Sequence, residues 1–371
     1  MKHFAKNRFK TRIFHWLFKF ANAIAQLPDR MTPAPFRLIQ MGSAYWQSRV
    51  LYLVTELDIA THLHSGPRTI KDLASSLQVH EDHLRRTLRF MAAFGIFEFT
   101  DIDTVRNNEV SAFLDRNHKN NVRSMILMHQ STPMYEAWWK GISEGIRQGE
   151  PAFALRHGEQ LFDYMAHHSD FNRLFSEAMT SVEALTGDHF ARDFDWSGFQ
   201  HIIDIGGSNG SKSATILHIH PTLTATVCDL PEVIDEASQN PPWAEQKSIA
   251  SRISFVQGNV FGELPPSGPC DVYFLSAVLH GFSDNECVTI LKNIRNRSGR
   301  EDPWVVIMEM VVDDPINRTM AAFDLQMLVC THGRERTLMQ WHQIFTQSGF
   351  ELIETVATSS LATLLLIRGQ V

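Results

Sequence analysis

The stretch His201-Ile202-Ile203-Asp204-Ile205-Gly206-Gly207-Ser208-Asn209-Gly210-Ser211 decides the fold of this chain. A short apolar run ends on a turn of glycines and small polar residues, and a helix is predicted to begin near Lys212. Glycine lacks a Cβ and adopts positive φ, so a ligand can approach the main chain of such a turn closely. Strand, glycine turn and helix together predict a nucleotide-type binding unit in an open α/β sheet.

The residues beyond the glycine turn strengthen this prediction. A second apolar run, 225–228, ends at Asp229. An acid about 20 residues past the turn is where ribose hydroxyls are bound in such folds. These features alone do not separate a dinucleotide from any other nucleotide-like ligand.

Strands and helices alternate from residue 199 onward, which predicts an α/β domain with a mostly parallel, doubly wound sheet. A ligand of such a sheet lies beyond the carboxyl ends of its strands. The predicted strands are 201–205, 225–228, 253–256, 271–275, 304–309 and a terminal pair, 350–356 and 361–367.

The bulk composition is that of an ordinary globular protein: 371 residues, 44% apolar and 20% charged. A net charge of −7 argues against nucleic acid as the main partner, because phosphate binding requires a basic surface. The cysteines are scattered without a CxxC pair, which predicts buried free thiols in a reducing, cytoplasmic compartment and no metal site. They are Cys228, Cys270, Cys287 and Cys330. No apolar run reaches the roughly 20 residues that span a bilayer.

Residues 1–32 are predicted to hold a basic, aromatic N-terminal helix. Six cations are interleaved with phenylalanines and a tryptophan, and no acid precedes Asp29. Three interpretations are open. The helix packs on a partner subunit, which we favour; it lies on a membrane surface; or it is a secretory signal cleaved near 21–23, which His15 and Lys19 disfavour because they interrupt its apolar core.

Residues 33–115 read as helices followed by a small winged unit, with predicted helices near 44–60, 69–74 and 83–91 and a short β-pair after them. Such a unit can read DNA with its second helix, and that helix carries Arg85, Arg86 and Arg89. The acidic chain and the large second domain favour a dimerisation module instead.

Residues 116–190 are predicted to be a helical linker rich in methionine and aromatic residues. Methionine and aromatic side chains at helical spacing are equally compatible with a buried core and with the wall of an aromatic ligand pocket. The catalytic domain is then predicted to cover 191–371.

Three polar residues fall at or just beyond strand ends on the predicted ligand side. His280 follows the apolar run 271–279, Glu309 ends the run 305–308, and Glu335 lies in Gly333-Arg334-Glu335-Arg336-Thr337. Position makes this histidine a candidate for chemistry.

Four motifs occur in the order seen in one family: 204–207, Asp229-Leu230-Pro231, Val278-Leu279-His280 with 283–287, and 333–337. Over residues 35–371 the chain resembles the S-adenosylmethionine-dependent O-methyltransferases of the caffeate and hydroxyindole type, including their bacterial natural-product relatives. The resemblance implies a Rossmann-like class I methyltransferase sheet with an antiparallel final strand, an N-terminal helical winged-helix dimerisation domain, a homodimer and secondary metabolism.

The resemblance also implies roles for single residues. The methionine part of S-adenosylmethionine would lie against the turn 204–207, the ribose hydroxyls on Asp229, and the adenine along Val260 and Phe261. His280 corresponds to the catalytic base, and Glu309 and Glu335 to the acids that hold its imidazole. The implied cofactor-binding residues are Asp204, Gly206, Gly207, Asp229, Leu230, Asn259, Val260, Phe261 and Ser276.

The implied acceptor is a flat, largely apolar aromatic molecule. The corresponding pocket residues are His129, Met134, Trp138, Phe162, Phe175, Met179, Asp324, Met327 and Leu328. This chain departs from the family where Asn259 and Gly281 replace acids, Phe282 replaces a tryptophan and Ser276 stands where plant members often have lysine. The departures put the strength of cofactor binding in question but leave the proposed base in place.

Two alternative functions stay open at this point. One is the same fold performing N- or C-methylation or a non-methylating reaction such as decarboxylation, hydroxylation or cyclisation. The other is a winged-helix DNA-binding regulator. Methyl transfer to an aromatic hydroxyl is favoured because His280, Glu309 and Glu335 are all retained, and a phenol needs a base near neutral pH.

Overall fold

The computed structural model describes residues 4–239, 241–269 and 271–370. The chain divides into two compact units. The first contains the described residues of 1–20, 141–161 and 188–371, and the second contains 21–140 and 162–187.

Helices account for most of the N-terminal half. They are α1 (Arg8–Ala25), α2 (Leu27–Met31), α3 (Ala34–Glu56), α4 (Ile59–His62), α5 (Ile70–Leu77), α6 (Glu81–Ala93), α7 (Arg123–His129), α8 (Thr132–Tyr135), α9 (Ile142–Gln148), α10 (Ala152–His157), α11 (Leu161–His167), α12 (Ser169–Thr186) and α13 (His189–Arg192). A π-helix, Glu136–Gly141, joins α8 to α9. The C-terminal half adds α14 (Ser211–Ile219), α15 (Pro231–Gln239), α16 (Lys247–Ala250), α17 (Asp284–Arg297), α18 (Arg318–Cys330) and α19 (Leu338–Ser348).

The strands form two sheets. The strands are β1 (Arg68–Thr69), β2 (Glu98–Phe99), β3 (Thr104–Arg106), β4 (His201–Ile205), β5 (Thr224–Asp229), β6 (Ile253–Gln257), β7 (Asp271–Ser276), β8 (Trp304–Glu309), β9 (Phe350–Ala357) and β10 (Thr363–Gly369). The first three make a small antiparallel sheet beside α5 and α6, which gives the predicted winged-helix order.

The large sheet has the order β6-β5-β4-β7-β8-β10-β9 among the described residues. Neighbours from β6 to β8 run parallel, and β10 runs antiparallel to both β8 and β9. The predicted parallel sheet with an antiparallel final strand is therefore confirmed. Because parallel strands end at one edge, Ile205, Asp229, Ser276 and Glu309 all lie at the carboxyl edge of this sheet.

Side chains alternate across the sheet into two buried clusters. Ile202 and Phe274 belong to the cluster on one face, and Ile203 and Leu275 to the cluster on the other. This alternation follows from the period of two in a β-strand. It explains why the central strands read as unbroken apolar runs, since both faces are covered.

The winged unit has its own core, which includes Leu73, Leu88 and Val105. On its second helix, Arg85 pairs with Glu81 and Asp103. Two acids thus neutralise one of the arginines that DNA reading would require, which favours the dimerisation interpretation.

The predicted buried free thiols are confirmed for Cys228, Cys287 and Cys330, whereas Cys270 lies outside the described residues. Within the described ranges, no helix has the length and apolar character that a membrane crossing requires.

Candidate active site

The glycine turn after β4 brings bare main chain to the carboxyl edge of the sheet. Gly206 has φ of +69°, a conformation that L side chains rarely adopt. A Cβ at Gly207 would lie 2.6 Å from Cγ of Asp204 and 2.9 Å from Val227. Asp204 is buried and accepts a hydrogen bond from Ser213 Oγ at 2.6 Å. Asp204 therefore packs against the turn and fixes its position.

Asp229 connects the end of β5 to the glycine turn. Its Oδ2 accepts the backbone N–H of Ser208 at 2.8 Å, and its Oδ1 accepts that of Leu230 at 2.8 Å. Burial raises the pKa of this carboxyl. A carboxylate has about four acceptor sites, so two backbone bonds fix its orientation and leave capacity for a diol.

The loop after β6 contains three predicted cofactor-binding residues, of which Val260 and Phe261 are predicted to lie along the adenine. Asn259 Oδ1 accepts the N–H of Phe261 at 2.8 Å, so the amide closes its own turn. The carbonyl of Val260 accepts Asn293 Nδ2 at 2.9 Å. The Phe261 ring is 46% exposed and meets Phe282 edge-on, with 5.4 Å between the ring centroids. The Phe261 ring thus presents a flat apolar surface at the carboxyl edge of the sheet.

Ser276, the last residue of β7, has a buried Oγ without a hydrogen-bond partner in the described part of the chain. Leaving a buried hydroxyl unpaired costs free energy. This atom is a candidate contact for a bound molecule.

The loop after β7 carries His280 in a short 3-10 helix, Leu279–Gly281. The backbone of this loop is held by Glu309. The Oε1 atom of Glu309 accepts hydrogen bonds from the N–H groups of Val278, Leu279 and His280 at 3.1, 2.9 and 3.3 Å. Burial raises the pKa of Glu309. Its Oε2 lies 3.8 Å from Nδ1 of His280, beyond hydrogen-bond reach. Glu309 therefore positions the loop and acts on the imidazole through its charge.

Glu335 holds the imidazole directly. Its Oε1 lies 2.9 Å from Nδ1 of His280, and the Glu335 backbone N–H donates to Asp324 Oδ1 at 2.9 Å. Burial lowers the pKa of His280, but the charge of Glu309 and the hydrogen bond and charge of Glu335 outweigh it and raise that pKa to about 9. His280 Nδ1 is thus committed to a carboxylate, which fixes the tautomer of the neutral ring with Nε2 as the basic nitrogen.

Two further residues that hold the histidine loop were not predicted. Arg336 is fully buried and donates to the carbonyls of Leu279 and Phe282 at 3.1 and 2.6 Å, and to Asp284 at 2.8 Å. Gly333 packs against the loop so closely that a Cβ there would overlap the carbonyl oxygen of His280. Both residues belong to the 333–337 motif. Because an arginine is seldom fully buried, nothing in the sequence indicated that Arg336 would hold the histidine loop.

The predicted acceptor-pocket residues divide between the two units. Asp324, Met327 and Leu328 lie on α18 in the first unit, and the Asp324 carboxylate contacts the Glu335 backbone. The other six lie in the second unit: His129, Met134, Trp138, Phe162, Phe175 and Met179. Met134 is fully buried there, whereas Phe162 is exposed.

In the described part of the chain, the large sheet has seven strands in this order, with a glycine turn after β4 and an acid at the end of β5. This arrangement defines a class I methyltransferase. The O-methyltransferase domain model matches residues 139–351, and the O-methyltransferase dimerisation domain model matches residues 39–116. This chain therefore belongs to the O-methyltransferase family. The predicted family, fold and class of S-adenosylmethionine-dependent enzyme are confirmed.

Named relatives and solved structures agree with this assignment. The phenazine O-methyltransferase PhzM of Lysobacter antibioticus is 30% identical over 87% of this chain and 93% of its own. The structure of LaPhzM has a TM-score of 0.83 at 29% identity and covers 91% of this chain and all of that one. An 8-amino-8-demethylriboflavin N,N-dimethyltransferase of Streptomyces davaonensis is 30% identical over 88% of this chain and 92% of its own. CalO1, a methyltransferase in calicheamicin biosynthesis solved with SAH bound, has a TM-score of 0.76 at 26% identity and covers 91% of this chain and 98% of that one.

Proposed function

We propose that this protein transfers the methyl group of S-adenosylmethionine to a hydroxyl of an aromatic small molecule, phenolic or resembling a polyketide or alkaloid, in secondary metabolism. The observation that carries the proposal is the pairing of His280 with Glu335 at the carboxyl edge of a class I methyltransferase sheet.

The residues at that edge fit the cofactor. The turn at Gly206 and Gly207 brings main chain to this edge, and it is packed so closely that a Cβ on either glycine would meet Val278 or Asp204. Asp229 keeps acceptor capacity for ribose hydroxyls, and the buried hydroxyl of Ser276 has no hydrogen-bond partner among the residues that the structure describes. Phe261 offers an exposed ring for an adenine. When bound, S-adenosylmethionine supplies an electrophilic methyl group on a sulfonium sulfur.

The chain's own contribution is to activate and align the acceptor. A phenol with a pKa of about 10 is mostly protonated at neutral pH and is a poor nucleophile. Nε2 of neutral His280 would take that proton, while the carboxylate of Glu335 on Nδ1 stabilises the resulting imidazolium. In-line transfer then depends on alignment, which the contacts of Glu309 and Arg336 with the histidine loop provide.

Two further parts of the proposal rest on the family assignment. Residues 33–115 form a homodimer interface, supported by the match of the dimerisation model. Residues 116–190 contribute a wall of the acceptor pocket. A cytoplasmic location stays a prediction from the free thiols.

Methylation of an amine is the second candidate reaction. A relative that is an N,N-dimethyltransferase is as similar in sequence to this chain as the phenazine O-methyltransferase is. The base is not needed to the same extent for an aromatic amine, whose nitrogen attacks without prior deprotonation. The two reactions therefore differ in how strongly they depend on His280.

The test is incubation of the protein with methyl-labelled S-adenosylmethionine and a panel of hydroxylated and aminated aromatic compounds, with the labelled position determined by NMR. We expect label on oxygen, and His280→Gln to lower turnover at least a hundredfold with cofactor affinity within about twofold. His342→Gln, on an exposed histidine of α19, is the matched control. Label on nitrogen, or near wild-type turnover in His280→Gln, would contradict the proposal.

A further inference from the structure

The N-terminal helix α1 lies outside the regions that the family models match, which begin at residue 39. Its start is nevertheless built into the catalytic unit. Phe4 is buried and stacks on Phe194, with 5.4 Å between the ring centroids. The N–H of Lys6 donates to the Asp193 carbonyl at 2.7 Å, and Asn7 Nδ2 donates to the Asp193 carboxylate at 2.9 Å. The start of α1 is therefore fixed by specific contacts.

One face of α1 continues this attachment. Thr11 is buried with its Oγ1 3.4 Å from Ser359 Oγ, and Nε2 of His15 lies 3.0 Å from the carbonyl of Thr358. Residues 11 and 15 are four apart and share a face of the helix. The polar face of α1 thus lies against the catalytic unit.

The opposite face is apolar and uncovered. Its residues are spaced by three or four positions and their exposures range from 43% to 77%: Phe9, Ile13, Trp16, Leu17 and Phe20. The rings of Trp16 and Phe20 stack in parallel, with 5.6 Å between their centroids. A contiguous exposed apolar patch of this kind marks an interaction surface.

Cations border the apolar face on both sides. At 3.6 residues per turn, Arg12 and Lys19 fall along one flank and Lys10 along the other. Arg8, on the first flank, pairs with Glu354 of the catalytic unit at 3.1 Å. No acid occurs before Asp29, although the chain as a whole has a net charge of −7. The partner of this face is therefore apolar in its interior and anionic at its surface.

We propose that α1 docks the catalytic unit on the surface of an anionic lipid bilayer, in place of the contact with a partner subunit that the sequence alone favours. An amphipathic helix with cationic flanks and exposed Trp and Phe lies in the plane of the headgroups with its apolar face at the acyl boundary. A contact between α1 and the same helix of a second copy is disfavoured, because it would bring the cationic flanks of the two helices together. A contact with another face of a second copy is an outcome of the experiment below.

The experiment is co-flotation of the full-length protein with vesicles of phosphatidylcholine alone or with about 30% phosphatidylglycerol. We expect the protein to bind the anionic vesicles and to bind the neutral ones only weakly. Binding to the anionic vesicles should fall as the salt concentration rises. Trp16→Ser with Phe20→Ser should weaken binding at least tenfold because both rings leave the acyl boundary. Lys10→Glu with Lys19→Glu should weaken it at least twentyfold, at about fivefold for each lost cation.

Controls separate this surface from general stickiness and from misfolding. Ile146→Ser removes an exposed isoleucine of α9, and Lys292→Glu reverses an exposed lysine of α17. Neither should change vesicle binding. Every variant should bind S-adenosylmethionine as the wild type does, since α1 contributes no residue to the active site. Equal binding to neutral and anionic vesicles, or no vesicle binding, would overturn the proposal. So would a fall in oligomer mass with Trp16→Ser and Phe20→Ser without any change in flotation, which would assign the face to a second copy.

Discussion

Gly333→Ala gives the most direct test of how the histidine loop is held. A Cβ at this position would overlap the carbonyl oxygen of His280 and lie 2.6 Å from the carbonyl carbon of Gly281. Carbon atoms in contact lie about 3.5–4.0 Å apart, so the two segments must separate by about 1 Å. The segments cannot separate freely, because Glu309 holds the amides of the loop and Arg336, on the same segment as Gly333, holds its carbonyls.

The expected cost has two parts. Overpacking of this kind typically costs about 1–3 kcal/mol of stability. A displacement of about 1 Å at a catalytic group lowers turnover on the order of a hundredfold. Affinity for S-adenosylmethionine should change less than turnover does, because Asp229 and the turn at Gly206 and Gly207 follow β5 and β4, whereas His280 follows β7.

The assay measures kcat with an acceptor identified from the labelled panel, together with cofactor affinity by calorimetry and the free energy of unfolding in urea. Gly42→Ala is the control, since a Cβ there meets nothing within 4 Å. It should leave kcat unchanged and stabilise α3 slightly, by about 0.5–1 kcal/mol. A Gly333→Ala enzyme with wild-type kcat would refute the reasoning that loop position limits catalysis.

The remaining predictions concern the pH dependence, the cofactor diol and the buried arginine. With a pKa of about 9, His280 is about 1% neutral at pH 7, so kcat/KM should rise about tenfold per pH unit and level off above pH 9; a flat profile from pH 6 to 9 would contradict this. Glu335→Gln removes a charge that raises this pKa, so the profile should shift to lower pH, a shift that a purely structural role would not produce. Asp229→Asn should weaken cofactor affinity at least tenfold by calorimetry, because hydrogen bonds to a charged group are worth about 1.5–3 kcal/mol; unchanged affinity would remove Asp229 from the site. Arg336→Met should lower the free energy of unfolding by about 2–4 kcal/mol, because two carbonyls and Asp284 lose their buried donor; a loss under 1 kcal/mol in urea denaturation would show that the clamp is not required.

The sequence reveals strongly periodic and chemically unusual features. The central strands were predictable because unbroken apolar runs bounded by turn residues have few other interpretations. Asp229 and Glu309 were found because an acid that ends an apolar strand stands out. The winged order followed from helix spacing in the same way.

Other features depend on contacts between residues far apart in the chain. Glu309 was expected to hold the imidazole, but its Oε1 instead accepts three backbone amides about thirty residues away. No local pattern encodes which atom of a carboxylate meets which donor. The sequence shows only that Asn259 replaces an acid, and the structure adds that its amide closes the turn that carries Phe261.

The sequence by itself determined the order of strands and helices, the glycine turn at the sheet edge and the amphipathic character of α1, because these depend on local periodicity and on single residue types. Only the tertiary structure decided that Arg336 and Gly333 hold the histidine loop, that two carboxylates raise the pKa of His280, and which face of α1 is covered. The reason is physical. Burial, electrostatic coupling and close packing depend on distances between residues that are far apart in the sequence, and these distances are set only when the chain folds.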